Sequence, residues 1–235
     1  MSLRYVIGSE GSRKTDFLYR EMLRLSTTEP DVPVFYFVPD QATLTAQREL
    51  VKLHENGCVM NIDILSLSRL KYRLSEELGD CFPEVLTDIG KGMLVKKVLL
   101  DCDGELTLYG NKHRKPGFVS EMKSMLSELM RYLIDADRLS ELSKDSEDPM
   151  LGHKLHDLSI ILSGFRDALG DRYLTEEDIY SAMCDAVLKS KKLRGARIYL
   201  NGFTGFTPSQ FLLLRSLLSV CSGMTVALTM DAELF

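Results

Sequence analysis

Residues 4–15 read RYVIGSEGSRKT, and this stretch decides the fold that the sequence predicts. It begins with Arg4-Tyr5-Val6-Ile7, a short β-branched and aromatic run of the kind that forms a buried strand. A turn-rich stretch follows, and apolar residues then recur at helical spacing from Phe17 to Leu23. The order of strand, glycine-bearing loop and helix is typical of the first crossover of a parallel α/β sheet.

The loop is a partial match to the phosphate-binding pattern G-x-x-x-x-G-K-[ST]. Gly8, Lys14 and Thr15 fit the pattern, Gly11 lies inside it, and Arg13 stands where the second glycine is expected. In such loops backbone N–H groups converge on a phosphate, the lysine reaches the outer phosphates and the hydroxyl binds Mg²⁺. The Arg13 side chain has two opposed effects, because it crowds the loop and also offers a guanidinium to phosphate. The sequence therefore neither establishes nor excludes ATP with Mg²⁺ as the ligand. The alternative is a polar turn with Arg13 and Lys14 in solvent.

Further strands are predicted on both sides of a long helical stretch. They are Arg4–Ile7, Val34–Val38, Cys58–Ile64, Arg197–Leu200 and Met224–Leu228. Helical apolar spacing follows the second, third and fourth of them. Successive strand–helix units predict an α/β fold whose parallel sheet has right-handed crossovers and helices on both faces.

Residues 75–190 contain no convincing strand pattern. Apolar residues there recur at helical spacing, as between Phe118 and Leu133 and between Leu155 and Leu169. We therefore predict a sheet domain formed by residues 1–74 and 191–235, with residues 75–190 inserted as an all-helical subdomain.

The composition excludes several classes of protein. The chain has 235 residues, of which 45% are hydrophobic and 27% charged, with a net charge of −5 and a pI near 5.5. No apolar run reaches the roughly 18 residues that span a bilayer, and the first ten residues predict no signal peptide. Five widely spaced cysteines and a lone His153–His156 pair predict neither disulfides nor a metal site. These features favour a cytoplasmic protein without membrane contact.

Short motifs at the strand ends carry a more specific signal. They are Val38–Leu44 (VPDQATL), Leu65–Leu70 (LSLSRL) and Tyr199–Pro208 (YLNGFTGFTP), and the helical middle adds Gly117–Glu121 (GFVSE) and Lys154–Leu158 (KLHDL). In this order, and with the partial phosphate loop, they resemble the N-terminal part of the AddB family over nearly the whole chain. The AddB family comprises the second subunits of bacterial AddAB helicase–nucleases, which are also called ATP-dependent helicase/deoxyribonucleases.

The resemblance implies a P-loop NTPase fold of the RecA-like kind, namely the first half of a superfamily-one helicase. It places Asn201 and Gly202 at the Walker B position, where an active motor needs an acidic pair to bind Mg²⁺ and to activate water. An amide does not replace a carboxylate in either task. We therefore expect a degenerate ATP site that does not hydrolyse ATP, and we assign no catalytic residue.

The resemblance also implies that this module holds the 3′-ended DNA strand and reads the Chi sequence. The DNA-binding candidates that it carries over are Gln41, Thr43, Arg69, Tyr72 and Phe206. Tyrosine and phenylalanine rings stack on unpaired bases, and arginine neutralises phosphate or reads a guanine edge. It further implies the AddA subunit and duplex-end DNA as partners, and an iron–sulfur cluster only in a C-terminal nuclease domain.

Four of the five DNA-binding candidates have a structural alternative. In it, Gln41 caps the following helix, Arg69 lies in solvent, Tyr72 packs against the helical subdomain and Phe206 joins the core. Two other functions also stay open for the chain as a whole. One is a small P-loop kinase or phosphotransferase, and the other is a scaffold that contacts AddA without binding DNA or nucleotide.

Overall fold

The computed structural model describes residues 2–54, 57–79 and 82–230, and within it the chain packs into two compact units. The first unit comprises Met1–Cys81, Tyr180–Phe206 and Gln210–Phe235, and the second comprises Phe82–Ile179 and Thr207–Ser209. In chain order the strands and α-helices of the described residues are β1 (Leu3–Gly8), α1 (Lys14–Thr28), β2 (Val34–Phe37), α2 (Thr43–Leu53), β3 (Ile62–Leu65), α3 (Leu70–Leu78), β4 (Glu84–Val85), α4 (Asp88–Asp101), α5 (Phe118–Arg131), α6 (Ala136–Asp145), α7 (Pro149–Leu169), β5 (Tyr173–Leu174), α8 (Ile179–Lys189), β6 (Arg197–Leu200), α9 (Pro208–Val220) and β7 (Gly223–Thr229).

The first unit is built on a five-stranded sheet in the order β1-β7-β6-β2-β3. All four strand pairs are parallel, which confirms the predicted α/β class and is consistent with a RecA-like fold. On one face Leu18 and Met22 of α1 and Leu50 of α2 pack against the sheet. All four residues of β2 are buried, because the strand has a neighbour on each side and apolar packing on both faces.

The third predicted strand is wrong in its start. β3 begins at Ile62, whereas the sequence predicted a start at Cys58, and Met60 is almost fully exposed. The partner strand sets this limit. β2 begins at Val34, whose N–H donates to the Asn61 carbonyl at 3.0 Å, and the preceding Pro33 has no N–H to continue the ladder.

The second unit is mostly helical, but the prediction that it lacks strands is wrong. β4 and β5 pair in parallel over two residues each, which is too short to leave a period in the sequence. The core of the unit packs α4, α5 and α7 around side chains that are almost inaccessible to solvent, such as Leu126, Ile161 and Phe165. Burial of these apolar surfaces supplies the main stabilising free energy of the unit.

Two buried polar groups lie among the helices of the second unit. The Asp157 carboxylate on α7 is fully buried and accepts the backbone N–H groups of Thr107, Leu108 and Tyr109 at 2.7–2.9 Å. The Lys91 ammonium on α4 donates to Glu177 at 2.8 Å and to the Ser127 hydroxyl at 2.6 Å. Each group therefore joins a helix to a segment that is distant in sequence.

Glu77, near the end of α3, joins this helix to the chain that follows α8, at a point inside the first unit. Its carboxylate accepts the Ser190 hydroxyl at 2.6 Å and the backbone N–H groups of Lys191 and Lys192 at 2.6 and 3.1 Å. Burial alone would raise the pKa of Glu77. The hydrogen bonds and the Lys192 charge outweigh burial and hold the pKa below its ordinary value. The outgoing and returning chains are thus fastened together within the first unit.

Candidate functional site

The predicted site residues follow strands whose carboxyl ends meet at one edge of the sheet. Because β1, β2, β3 and β6 all run parallel, the loops that follow them emerge together. Open α/β sheets bind their ligands at this edge. The four loops are therefore the place at which a functional site is expected.

The loop after β1 folds around the Lys14 ammonium. Its Nζ donates to the carbonyls of Gly8 and Ser9 at 2.9 and 2.6 Å, and to the Ser12 hydroxyl at 3.2 Å. A side chain on Gly8 would collide with Ser12, since an added Cβ would lie 2.5 Å from its Oγ. The lysine therefore holds the loop together through contacts with the loop's own oxygens.

Arg13 adopts a left-handed backbone conformation, with φ of 59° and ψ of 27°. This region favours glycine, which is the residue that the phosphate-loop pattern has at this position. Gly11 is also left-handed, with φ of 77°. The Arg13 side chain is exposed and makes no capping bond to α1. At this position the loop thus has a backbone conformation that glycine adopts without strain, although the residue is arginine.

Asn201 follows β6 and points its amide at the loop after β1. Its Nδ2 donates to the Thr15 hydroxyl at 3.0 Å and to the Tyr36 hydroxyl at 2.9 Å. Burial raises the pKa of Tyr36, and the Asn201 hydrogen bond opposes part of this rise, so the phenol stays protonated. A donor group therefore faces the hydroxyl that would bind Mg²⁺ in a complete phosphate loop, and the residues present do not fit a Mg²⁺–ATP site.

Contacts continue from the loop after β6 to the loops after β2 and β3. Gly202 is left-handed, with φ of 78°, and an added Cβ would lie 3.4 Å from the Pro39 ring. The next contact is made by Ser68, whose hydroxyl donates to the Asp40 carboxylate at 3.1 Å. The four loops therefore form one continuous surface, which we call the strand-end surface. It comprises residues 8–15, 39–43, 66–69 and 201–202.

The candidates Gln41 and Thr43 differ in accessibility. Gln41 is exposed in a short 3₁₀ helix, Asp40–Ala42, that precedes α2. Thr43 is buried, and its hydroxyl donates to the Asp40 carbonyl at 3.0 Å. The Thr43 hydroxyl thus stabilises the local turn, whereas the Gln41 amide is presented to solvent.

Arg69 and Tyr72 lie together at the start of α3. Both side chains are exposed, and both line a groove of about 700 Å³ between α2, β3 and α3. The groove is also lined by apolar side chains such as Leu50 and Ile64, and by Asp63 of β3, which forms an ion pair with Arg73. The structure thus brings an exposed aromatic ring and a cation to one groove beside the strand-end surface.

Phe206 lies in an aromatic cluster in the loop between β6 and α9. Its ring centroid is 5.0 Å from that of Phe203 and 5.6 Å from that of Phe211. Phe206 is half-buried, whereas Phe211 is 57% exposed. The cluster gives Phe206 a packing role while leaving apolar ring surface at the protein exterior.

Two residues at this edge of the sheet, Tyr36 and Asp40, were not among the candidates from the sequence. Tyr36 is part of an apolar strand, and its hydroxyl meets Asn201 because β2 and β6 are neighbours, which a linear sequence does not state. Asp40 follows Pro39 directly at the end of β2, and a carboxylate at a strand end is a detectable signal. Its contact with Ser68 depends on the pairing of β2 with β3.

Neither a metal centre nor a membrane span is found among residues 2–54, 57–79 and 82–230. In these residues no group of three or more His, Cys, Asp or Glu side chains is arranged to hold a metal ion. The described cysteines are all free thiols, and Cys81 lies outside the described residues. Within the same part of the chain, every helix is too short or too polar to cross a bilayer.

Comparisons with known proteins agree across the whole length of the chain. Residues 5–234 match the family model described as ADDB, N-terminal. A Lachnoclostridium phytofermentans protein, named as the B-subunit of an ATP-dependent helicase/deoxyribonuclease, is 41% identical over 98% of this chain and 20% of its own length. Proteins of the same name from Caldanaerobacter subterraneus and Clostridium acetobutylicum are 32% and 30% identical over 100% and 99% of this chain. The chain spans about one fifth of the length of these relatives.

Proposed function

Because this chain belongs to the AddB N-terminal family, we propose that it is the helicase-like module of AddB and binds single-stranded DNA without hydrolysing ATP. In this proposal the module works beside AddA in a cytoplasmic helicase–nuclease that processes DNA ends for recombinational repair. The names of the relatives describe them as parts of a helicase and deoxyribonuclease with more than one kind of subunit, which supports this setting.

The continuous strand-end surface is the observation that carries the DNA-binding proposal. Two hydrogen bonds join its loops, Asn201 to Thr15 and Ser68 to Asp40, and Gly202 lies beside the Pro39 ring. A strand laid across this edge would meet the exposed Gln41 amide and then the Arg69–Tyr72 groove. Binding along a connected surface allows several weak contacts to add, which suits an extended single strand.

Tyr72 and Arg69 have separate tasks in this proposal. The Tyr72 side chain is 67% exposed and offers a ring on which an unpaired base can stack. The Arg69 guanidinium is exposed at the end of the loop after β3, where it can neutralise a phosphate. Reading of Chi would require base-edge contacts in addition, and the Gln41 amide, with its donor and acceptor, is our candidate.

We expect Tyr72→Ala to weaken binding of single-stranded DNA, because one stacking contact is worth about 1–3 kcal/mol, or roughly a 5- to 150-fold rise in Kd. Arg69→Ala should lower the slope of log K against log salt by about 0.7, the value for one phosphate contact on a single strand. Fluorescence anisotropy of a labelled oligonucleotide at several salt concentrations measures both effects.

The controls for this experiment are Tyr132→Ala and Arg20→Ala, which remove an exposed tyrosine and an exposed arginine that are not among the residues of the strand-end surface. Both should leave the affinity unchanged. Wild-type protein that binds no oligonucleotide even at low salt would contradict the proposal and favour the scaffold function.

The second part of the proposal is that ATP is not turned over. Phosphoryl transfer needs carboxylates that hold Mg²⁺ and position water, and the chain has Asn201 and Gly202 at that place. The Asn201 amide also donates a hydrogen bond to the Thr15 hydroxyl.

ATPase activity should therefore stay at background level, with or without single-stranded DNA, in a phosphate-release assay. Lys14→Ala should not change this result, since no hydrolysis depends on the lysine. Turnover in the wild type that Lys14→Ala abolishes would refute the absence of hydrolysis. Transfer of phosphate from ATP to a nucleoside would instead support the kinase function.

A further inference from the structure

Another pocket of the first unit lies at the end of the sheet opposite the strand-end surface. It has a volume of about 250 Å³, and residues at the starts of β1, β6 and β7 line it. Because these three strands run parallel, their amino ends meet at one edge, away from the loops that follow their carboxyl ends. We call this cavity the amino-end pocket.

Two rows of residues form the sheet side of the amino-end pocket. In the register of the sheet, Thr225 stands between Arg4 and Tyr199, so these three side chains share one face. Arg197 stands opposite Gly223, two positions nearer to the amino ends, and therefore lies on the same face. Tyr199 packs in one buried cluster with apolar side chains of α1, and the last two turns of that helix line the other side of the pocket.

Gly223 provides the space into which the Arg197 side chain extends. An added Cβ at Gly223 would lie 2.7 Å from Nη1 of Arg197 and 2.9 Å from the Ser2 hydroxyl oxygen. Gly223 is not among the residues with positive φ, so its backbone conformation does not require glycine. The requirement comes from the close approach of the guanidinium, which lies across the start of β7.

Part of the charge in the amino-end pocket is neutralised within it. Arg4 forms an ion pair with Glu21 of α1 and also donates to the Thr225 hydroxyl at 3.1 Å. The Tyr199 hydroxyl donates to the same carboxylate at 2.9 Å. Burial and this hydrogen bond raise the pKa of Tyr199, so the phenol keeps its proton. The Glu21 carboxylate is therefore satisfied by one cation and one hydroxyl.

Arg24 of α1 and Arg197 are the other two arginines that line the pocket. Within the described residues neither guanidinium takes part in an ion pair or a hydrogen bond, although Arg197 is half-buried. The second lining carboxylate, Glu29, is exposed directly after α1. With three arginines and two glutamates, the lining has one positive charge in excess and two guanidinium groups that lack an acceptor.

We propose that the amino-end pocket binds a phosphate group through the guanidinium groups of Arg24 and Arg197. Guanidinium N–H groups match phosphate oxygens in charge and geometry. The donors belong to two elements, and the Ser2 hydroxyl adds a third. A tetrahedral anion offers oxygens in several directions, which suits this set better than a planar carboxylate does. One water takes about 30 Å³, so the pocket has room for the anion with a few waters.

The phosphate group is either free or part of DNA, and both sources present the same oxygens. The inference rests on the amino ends of the strands alone. It therefore stands or falls independently of DNA binding at the strand-end surface.

Isothermal titration calorimetry of the chain with inorganic phosphate tests the proposal. We expect a Kd on the order of 1 mM. Arg24→Gln and Arg197→Gln should each raise the Kd at least about 10-fold, because each removes charge-assisted hydrogen bonds to the anion. Arg215→Gln is the matched control and should leave the Kd unchanged, since it removes an exposed arginine of α9 that does not line the pocket.

Three outcomes of the titration would overturn the proposal. The first is a wild type that binds no phosphate, and the second is acetate bound as tightly as phosphate. The third is phosphate affinity that Lys14→Ala abolishes and both pocket variants retain, which would assign the anion to the loop after β1 instead.

Gly223→Ala tests the geometry without removing a charge. Its methyl group would displace the Arg197 guanidinium, so the Kd for phosphate should rise about 10-fold while the circular dichroism spectrum stays that of the wild type. Gly104→Ala is the control, because an added Cβ there meets no atom within 4 Å. A folded Gly223→Ala variant with wild-type affinity would contradict the assignment of Arg197 to the anion.

Fluorescence anisotropy with a labelled single-stranded oligonucleotide then distinguishes the two sources of phosphate. If the phosphate belongs to DNA, Arg24→Gln should raise the Kd for the oligonucleotide as well as for inorganic phosphate. If the phosphate is free, Arg24→Gln should weaken only the binding of inorganic phosphate. Both results support the pocket, whereas unchanged affinity for both ligands in Arg24→Gln and Arg197→Gln would overturn it.

Discussion

Asp157→Ala is expected to destabilise the helical unit by about 4 kcal/mol, because three buried backbone N–H groups lose their acceptor and each such loss costs roughly 1–3 kcal/mol. The carboxylate is fully buried, and its two oxygens take all three N–H groups of the segment Thr107–Tyr109. Alanine leaves a space with no acceptor in it. Urea unfolding followed by circular dichroism measures the change in the free energy of unfolding.

Two further variants separate this explanation from a general effect of removing charge. Asp157→Asn keeps one carbonyl oxygen and should cost less than alanine. Asp167→Ala removes an exposed carboxylate from the same helix and should change the unfolding free energy by less than about 0.5 kcal/mol. A loss for Asp157→Ala no larger than that of Asp167→Ala would show that the Asp157 hydrogen bonds do not hold this unit together.

Lys91→Met is expected to cost about 3–5 kcal/mol at neutral pH, because it leaves the buried Glu177 carboxylate without its counter-charge. Both side chains of this pair are only 7% exposed. The double variant Lys91→Met/Glu177→Leu removes both charges and should recover most of the lost stability, since a buried ion pair is often replaceable by apolar side chains. Lys97→Met, on the exposed side of α4, is the matched control.

The cost of Lys91→Met should depend on pH in a defined direction. In the wild type burial alone would raise the pKa of Glu177, but Lys91 and Ser127 outweigh it and hold the pKa below its ordinary value. The contribution of Glu177 to stability is therefore complete above the unfolded value of about 4.3 and is lost as the pH falls through the lower folded value.

Without Lys91, no positive charge opposes the effect of burial, and burial raises the pKa of Glu177. Lowering the pH then protonates the carboxyl and removes the cost of burying its charge. The difference in unfolding free energy between wild type and Lys91→Met should thus begin to shrink above about pH 4.3, where the variant's Glu177 takes up its proton, and should shrink further below about 4.3, where the wild type loses the contribution of its ion pair. A difference that is constant from pH 7 to pH 4 would contradict the assigned role of this pair.

The sheet could be predicted because apolar runs such as Val34–Phe37 are buried on both faces and stand out from their surroundings. The ends of the strands were harder to predict from the sequence, since the start of β3 depends on where β2 begins. The two-residue strands β4 and β5 could not be predicted, because two residues carry no period.

The site residues also fall into those that the sequence could predict and those that it could not. The strand-end loops were predictable from local motifs, whereas the Asn201–Tyr36 and Ser68–Asp40 contacts follow from strand order. Asp157 stands in the motif Lys154–Leu158, but its role depends on a loop some 50 residues away that lies against α7. Charge in a helix normally indicates a solvent-exposed face, and only the fold shows that this carboxylate is inside.

The Glu77 contact makes a long stretch of chain begin and end at one point of the first unit. The Glu77 carboxylate lies 2.6 Å from the backbone nitrogen of Lys191, although the two residues are 114 positions apart in the sequence. The stretch between them contains Phe82–Ile179 of the second unit and also α8, nearly all of which belongs to the first unit. A change of chain length between two such close points disturbs the flanking structure little, so the sheet should tolerate insertions and deletions in this stretch.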